Sequence, residues 1–255
     1  RMLHTDDADQ LAVIEAPPVA VPAMLLRGYA VLVPDHEGPH MAYADGHTAG
    51  PIVLDAIRAT YAAEPVFRDA TFAIAGYSGG AIATGWADRM MADYSPGLLA
   101  HYAGSVLGGF PADFDRLRYT MDGSLGTGLY IAAIVGLIRG RYPELTQLAS
   151  TNAEIGGNLA RAIGLQNQCF VQLATLGATF LPVRLFATLA NPYANPIAQY
   201  VLNDSKLTGS PLSGPLLLFN AAHDEWIPAA GTVALYEDQR DRGVNVQYVS
   251  VPGDH

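Results

Sequence analysis

The stretch from Thr71 to Arg89, TFAIAGYSGGAIATGWADR, decides the fold of this chain. Its first five residues, 71–75, form a short apolar run that is typical of a buried strand in a parallel sheet. The turn GYSGG at 76–80 follows, and the Ala- and Met-rich residues after it have helical character. A G-x-S-x-G turn between a strand and a helix raises its serine above the edge of the sheet.

This arrangement is the nucleophile elbow of α/β-hydrolases, and it makes Ser78 the candidate nucleophile. The glycines around the serine remove side chains that would collide with the neighbouring strand and helix. The backbone amide of Gly79, at the N-terminus of the helix, is the candidate donor to a developing oxyanion. A Gly-rich turn that merely contains a serine is the alternative, and the flanking strand and helix favour the elbow.

Composition restricts the class of protein and of partner. The chain has 255 residues, half of them hydrophobic and only 15% charged, with a mean hydropathy of +0.18, so it can bury a large core. The formal net charge is −10, and no cluster of Lys or Arg occurs, which argues against nucleic acid or an anionic membrane surface as a partner. The longest apolar run, Gly128–Ile138, is too short to span a membrane.

The ends of the chain indicate missing parts. It opens at Arg1 without an initiator Met or the apolar core of a signal peptide, and it stops at His255 directly after a predicted strand and turn. We therefore expect a piece that lacks N- and C-terminal segments. The single cysteine, Cys169, has no partner within the chain and is interpreted as a small buried hydrophobe.

The first third of the chain predicts alternating helices and strands. A short helix, Pro22–Arg27, is expected to end at Gly28, and the apolar run 29–33 is expected to be a buried strand. After the loop 34–39, a helix is predicted over 48–63 and leads into the elbow. This β-α-β order predicts a mostly parallel, doubly wound sheet.

A change of pattern follows a strand predicted to begin near Val106. The next hundred residues show no convincing strand, so an all-helical cap is predicted over 111–210, between core segments 1–110 and 211–255. Short helices are expected over 113–120, 129–139, 142–150, 158–163 and 168–176. The segment 129–138 is apolar on every side and is therefore buried or lines an apolar cavity. The candidate substrate-binding residues are Leu129, Ile134 and Ile138 there, and Tyr77 beside the nucleophile.

The sheet is predicted to resume after Pro215, with strands at 216–220 and 245–251 around a helix at 229–242. In α/β-hydrolases the acid and then the histidine follow the serine, each on a loop after a strand. His255 is the only histidine after the acids at 224 and 225, so by elimination it is the candidate general base. Asp224 and Glu225 both remain candidates for the acid.

A metal centre is not expected, because the spacing of His36, Glu37 and His223 matches no known ligand motif. No other cofactor is indicated by the sequence either.

These residues together resemble the secretory lipase family of fungi and actinobacteria, over nearly the whole chain. The resemblance rests on GY at 28–29, PDHEG at 34–38, GYSGGA at 76–81, DE-x-IP at 224–228, and GVNV at 243–246 leading to His255. The spacings are similar to those of the family: 224 − 78 = 146 residues from serine to acid, and 255 − 224 = 31 from acid to histidine.

The resemblance implies a secreted serine hydrolase that cleaves acyl esters, lipids among them, under a helical cap. No cofactor is expected, and a monomer is favoured although the sequence does not determine the oligomeric state. The resemblance implies Ser78, Asp224 and His255 as the catalytic triad, and Asp35 with the Gly79 amide as the oxyanion site. It also implies an acyl-enzyme intermediate. Two departures are the absence of any segment after His255, and the lack of a partner for Cys169, since members of the family carry disulfides.

Three alternatives stay open at this point. A short-chain esterase or deacetylase of a secondary metabolite would have a small pocket under the cap. A peptidase or amidase would need a charged site for a chain end, and no charge cluster in the predicted cap suggests one. A catalytically inactive hydrolase fold used for binding would typically lack one member of the triad, whereas all three are present here.

Overall fold

The computed structural model describes residues 20–148, 180–187 and 189–255. The chain divides into two compact units, Arg1–Asp35 and His36–His255. In the first unit, helix α1 spans Ala20–Leu26, and Gly28 follows it with a φ of +84°, as predicted for a glycine that ends a helix. The predictions at 158–163, 168–176 and Cys169 lie outside the described residues.

The prediction of a buried strand over residues 29–33 is wrong. These residues have no strand hydrogen bonds among the described residues, and the amide of Tyr29 instead donates to the carbonyl of Met24 at 3.1 Å. The side chains of Tyr29 and Val33 are largely exposed. An apolar run becomes a strand only when a neighbouring strand takes up its backbone groups, and hydropathy alone does not reveal that neighbour.

The second unit is an α/β structure around four parallel strands. The strands are β1 (Phe72–Tyr77), β2 (Tyr102–Gly108), β3 (Leu216–Ala221) and β4 (Val246–Val251). The helices are α2 (Gly46–Ala63), α3 (Gly79–Tyr94), α4 (Phe114–Leu117), α5 (Thr127–Arg139), α6 (Pro196–Asp204) and α7 (Ala229–Asp241). Short 3-10 helices lie at Pro65–Phe67, Pro96–His101, Pro143–Leu148, Val183–Phe186 and Pro192–Ala194.

The sheet has the order β1-β2-β3-β4, and every pair of neighbours is parallel. The register places Tyr77 opposite Gly108, and Gly108 opposite Phe219. Because the strands run in the same direction, the loops that follow all four strands meet at one edge of the sheet. The expected α/β-hydrolase fold with a parallel sheet is confirmed.

Helix α3, which begins at the elbow, is fixed to the sheet by a buried carboxylate. Asp88 is fully buried and accepts hydrogen bonds from the hydroxyls of Tyr102 and Ser105, each at 2.6 Å. It also accepts from the amide of Ser213. Burial raises the pKa of Asp88, and these donors act against that rise. The polar start of β2, which hydropathy did not predict, is therefore explained by a buried partner on α3.

The chain between β2 and β3 is helical in its described part. Helix α5 agrees with its prediction, α4 is shorter than predicted, and the segment predicted over 142–150 contains a 3-10 helix, Pro143–Leu148. The cap boundaries at 111 and 210 stay a prediction. Across the described ranges, no helix combines the length and the apolar character needed to cross a membrane.

Candidate active site

The turn after β1 holds Ser78 in a strained conformation, with φ 52° and ψ −119°. A positive φ is uncommon for a residue with a side chain, and it persists only where the surroundings enforce it. Here the Ser78 amide donates to the carbonyl of Gly108 at 2.8 Å, and the Ser78 carbonyl accepts from the amide of Ala81 at 3.0 Å. The neighbouring strand and the first turn of α3 thus fix the backbone of the predicted nucleophile.

The glycines of the turn do not have equal roles. A Cβ on Gly76 would collide with the carbonyl of Gly80, and a Cβ on Gly79 would lie 2.8 Å from Cε2 of Tyr43. A Cβ on Gly80 would meet no heavy atom within 4 Å. The close approach of the Gly80 backbone therefore requires Gly76, and the ring of Tyr43 restricts Gly79, whereas nothing in the structure explains the glycine at position 80.

His255 lies between the serine and a carboxylate. Its Nε2 is 2.8 Å from Ser78 Oγ, and its Nδ1 is 2.8 Å from Asp224 Oδ2. A carboxylate only accepts hydrogen bonds, so Nδ1 carries the proton and Nε2 is free to accept from the serine hydroxyl. The side chains of His255 and Asp224 are 10% and 1% exposed, so water competes little for these bonds.

The loop 222–228 distinguishes the two candidate acids. Asp224 Oδ1 accepts hydrogen bonds from the amides of Trp226 at 3.1 Å and Ile227 at 2.7 Å. These bonds fix the carboxylate group and aim its second oxygen at the histidine ring. Glu225 contacts the backbone instead, because its Oε2 accepts from the His255 amide at 3.3 Å. The structure thus brings Asp224, and not Glu225, to the imidazole.

Backbone hydrogen bonds hold the histidine loop beside the acid loop. The amide of Ala222 donates to the carbonyl of Val251 at 2.7 Å, and the amide of His223 donates to the carbonyl of Gly253 at 3.1 Å. The pairing of β3 with β4 thereby continues past the strand ends. His223 contributes its backbone to this contact.

Two aromatic rings lie against the imidazole. The ring centroids of Tyr77 and Trp226 are 5.2 and 5.5 Å from that of His255. Gly109 permits this packing, since its φ is +49° and a Cβ there would lie 3.0 Å from Tyr77 and 3.2 Å from His255. Partial burial raises the pKa of Tyr77, with smaller contributions from the charges of Asp224 and Glu225. The sequence did not indicate that Trp226 and Gly109 adjoin the histidine. For Trp226, its position two residues after Asp224 in the acid loop could have done so.

Donors for an oxyanion are available at the start of α3. The amides of the first helical turn have no acceptor within the helix, and Gly79 occupies that turn beside Ser78. The Tyr43 ring packs against Gly79. Burial raises the pKa of Tyr43 to about 12, and the charge of Glu37 adds to this rise, so its hydroxyl keeps its proton at neutral pH. Asp35 is the last residue of the first unit, and its expected place in the oxyanion site stays a prediction.

A narrow apolar cavity of about 30 Å³ adjoins Ser78 and His255. Helix α5 contributes Leu129, Tyr130 and Ala133 to its wall. The predicted Ile134 and Ile138 are not in that wall and pack instead against the hydrophobic core. Successive helical residues turn by about 100°, so Leu129 and Ala133 share one face of the helix and Ile138 lies on the opposite face. The remaining lining is Tyr43, Ala44, Ile82, Pro111, Phe114, Leu117, Met121, Trp226 and Ile227.

In the described parts of the chain, no group of three or more His, Cys, Asp or Glu side chains could hold a metal ion.

Similarity to a known protein family extends over nearly the whole chain. The sequence model of the family described as "Secretory lipase" matches residues 8–254. The chain belongs to the secretory lipase family. The family name refers to secreted proteins, in agreement with the expected localisation.

Known members of the secretory lipase family resemble the chain in sequence and in structure. The "Secreted triacylglycerol lipase LIP5" of Malassezia globosa is 34% identical over 81% of this chain and 44% of its own length. The "Probable inactive lipase MT1628" of Mycobacterium tuberculosis is 30% identical over 89% of this chain and 51% of its own. The crystal structure of Candida antarctica lipase A superposes with a TM-score of 0.81 at 26% identity, covering 92% of this chain and 56% of that one. The chain thus spans about half the length of these relatives.

Proposed function

We propose that this chain carries the active site of a secreted serine hydrolase that cleaves carboxylic ester bonds of acyl esters, triacylglycerols among them. One observation carries the proposal: His255 lies 2.8 Å from both Ser78 Oγ and Asp224 Oδ2, with the serine on a strained turn and an apolar cavity beside it. Nucleophile, base and orienting acid are each within hydrogen-bond reach of the next.

The reaction follows from the donors and acceptors. Ser78 Oγ attacks the ester carbonyl carbon, and its proton passes to Nε2 of His255. Asp224 stabilises the resulting imidazolium through Nδ1. The alcohol then leaves with the proton from Nε2, and the acyl group stays on Ser78 as an ester. Water, activated by the same nitrogen, releases the carboxylic acid and restores the serine.

Negative charge develops on the carbonyl oxygen during each addition. The Gly79 amide at the start of α3 is assigned as a donor to this oxyanion, and Asp35 is assigned as the second group on the basis of the family resemblance. Loss of one such donor is expected to lower turnover by about 100- to 1,000-fold. We assign residues 111–210 as a helical cap over the core and Leu129 as part of the acyl site. Tyr77, which was predicted to bind substrate, does not line the cavity and packs instead against the His255 ring.

A second candidate, a short-chain esterase, is favoured by one observation. The cavity beside Ser78 is about 30 Å³, which is far smaller than the roughly 300 Å³ or more of an ordinary ligand pocket. A short acyl group needs less rearrangement of the surrounding Phe114, Leu117 and Met121 than a long one does. The two candidates share the chemistry and differ only in the length of the acyl chain.

The test is hydrolysis of p-nitrophenyl esters from acetyl to palmitoyl, with Ser78→Ala beside the wild type. Ser250→Ala, at an exposed position of β4, is the matched control for a lost hydroxyl. Activity on medium and long chains that disappears only in Ser78→Ala supports a lipase, and activity limited to acetyl and butyryl supports the short-chain esterase. Equal inactivity of all three proteins on every ester would refute the proposal and leave an inactive, binding member of the family.

A further inference from the structure

A long-range hydrogen bond joins the helical segment after β2 to the acid loop. Thr120, three residues beyond α4, donates from Oγ1 to the carbonyl oxygen of Trp226 at 2.7 Å. The carbonyl of Leu117 lies at 3.3 Å from the same hydroxyl. A hydroxyl has one hydrogen, so the shorter bond, to Trp226, is the stronger of the two.

The acceptor belongs to a peptide group that also holds the acid. The carbonyl of Trp226 and the amide of Ile227 lie in a single planar peptide unit. The amide of Ile227 donates to Asp224 Oδ1 at 2.7 Å. Thr120 and Asp224 therefore bind opposite ends of one rigid group. A hydrogen bond accepted at the oxygen also polarises the peptide and strengthens its N–H as a donor.

Trp226 also contacts the histidine and lines the cavity. The Trp226 ring lies 5.5 Å from the His255 ring, centroid to centroid, and both side chains line the cavity beside Ser78. Leu117 and Met121, on either side of Thr120 in the sequence, line that cavity too. Residues 117–121 thus contribute both to the wall that an acyl group would contact and to the hydrogen bond that supports the Asp224 loop.

We propose that Thr120 is a positioning residue for ester hydrolysis, which holds the 226–227 peptide so that its amide fixes Asp224 against His255. This inference rests on the proposed function. Thr120 acts through the peptide and the acid, and it touches no reacting atom. Through this link, the placement of the cavity wall controls how firmly the acid supports the imidazolium that forms in the transition state.

A purely structural role would have different consequences. If Thr120 only anchored its segment, removal of the hydroxyl would lower the unfolding temperature and leave the titration of the histidine unchanged. If Thr120 positions Asp224, its removal weakens the carboxylate's support of the imidazolium. The imidazolium that forms during the reaction is then held less firmly, and the acid limb of the rate profile moves to lower pH.

The experiment compares Thr120→Val, which has a similar shape without the hydroxyl, with Thr120→Ser, which keeps it. Thr146→Val is the matched control, because the Thr146 hydroxyl donates to the carbonyl of Pro143 at the same 2.7 Å in an exposed place. For each protein, kcat and KM for p-nitrophenyl butyrate are measured between pH 5 and 9. The downfield proton resonance of the histidine Nδ1–H is recorded by NMR, which needs no turnover.

For Thr120→Val we expect about a fivefold loss of kcat, the size of one neutral hydrogen bond, with little change in KM. The acid limb moves to lower pH and the Nδ1–H resonance shifts, whereas Thr120→Ser and Thr146→Val behave as wild type. A lower unfolding temperature with an unchanged acid limb and resonance would overturn the proposal. If Thr120→Val does not fold, Thr120→Ala takes its place in the same comparison. If the wild type hydrolyses no ester, the proposed function fails. The role of Thr120 is tested separately, because an Nδ1–H resonance in Thr120→Val identical to that of the wild type would refute it without any turnover.

Discussion

The two outer glycines of the elbow are expected to respond in opposite ways to the same substitution. In Gly76→Ala, the new Cβ would collide with the carbonyl oxygen and carbon of Gly80, and it would lie 2.6 Å from Thr84 Oγ1. The Thr84 hydroxyl and the Gly80 carbonyl are themselves hydrogen-bonded, with Thr84 Oγ1 donating to the Gly80 oxygen at 3.0 Å. No rotation of a side chain relieves the clash, so the first turn of α3 must move as a unit.

The size of the effect follows from contact distances. Atoms in favourable contact lie about 3.5–4.0 Å apart, so the turn must retreat by roughly 1.5 Å from the new Cβ. Overpacking of this kind costs about 1–3 kcal/mol of unfolding free energy. Displacing the nucleophile by about 1 Å costs about 100-fold in rate. Gly80→Ala, by contrast, adds a methyl group in open space within a helix and should stabilise by about 0.5 kcal/mol.

Urea unfolding of both variants measures the first quantity, and hydrolysis of p-nitrophenyl butyrate measures the second. We expect the midpoint of Gly76→Ala to fall with an unchanged m-value and the midpoint of Gly80→Ala to rise. The reasoning is refuted if Gly76→Ala unfolds at the wild-type midpoint with wild-type activity. It is equally refuted if Gly80→Ala is destabilised as much as Gly76→Ala.

Two further predictions concern titratable groups. Asp224→Asn is expected to lower kcat by about 1,000- to 10,000-fold, because the histidine loses the partner that fixes its tautomer. Glu225→Gln should lower kcat by less than about tenfold, because the partner of Glu225 is a backbone amide. Equal losses of ester hydrolysis in the two variants would contradict the assignment of the acid. Burial, and then the charge of Arg141, lower the pKa of His47 from its ordinary 6.5. The unfolded chain therefore binds more protons just below pH 6.5, and stability should fall as the pH drops from there through the folded-state pKa. Denaturation between pH 5 and 8 should show a shallower slope for His47→Gln, and identical slopes would contradict the prediction.

Local patterns were sufficient to predict much of the fold and to select the candidate residues of the site. The strand, turn and helix around Ser78 follow from a short motif whose glycines have a steric purpose, and β3 and β4 follow from apolar runs that end in polar loops. His255 followed from chain order, since it is the only histidine after the candidate acids. These features are readable because neighbours in the sequence determine them.

Only the tertiary structure decided contacts between distant segments. Asp224 and Glu225 are adjacent and chemically alike, and the amide of Ile227 selects the first for the histidine. The run 29–33 is as apolar as a buried strand but has no strand partner among the described residues. The bond from Thr120 to Trp226 joins residues 106 positions apart. Hydropathy and spacing report what a residue can do, whereas the partner that takes up its hydrogen bond is determined by how the chain packs.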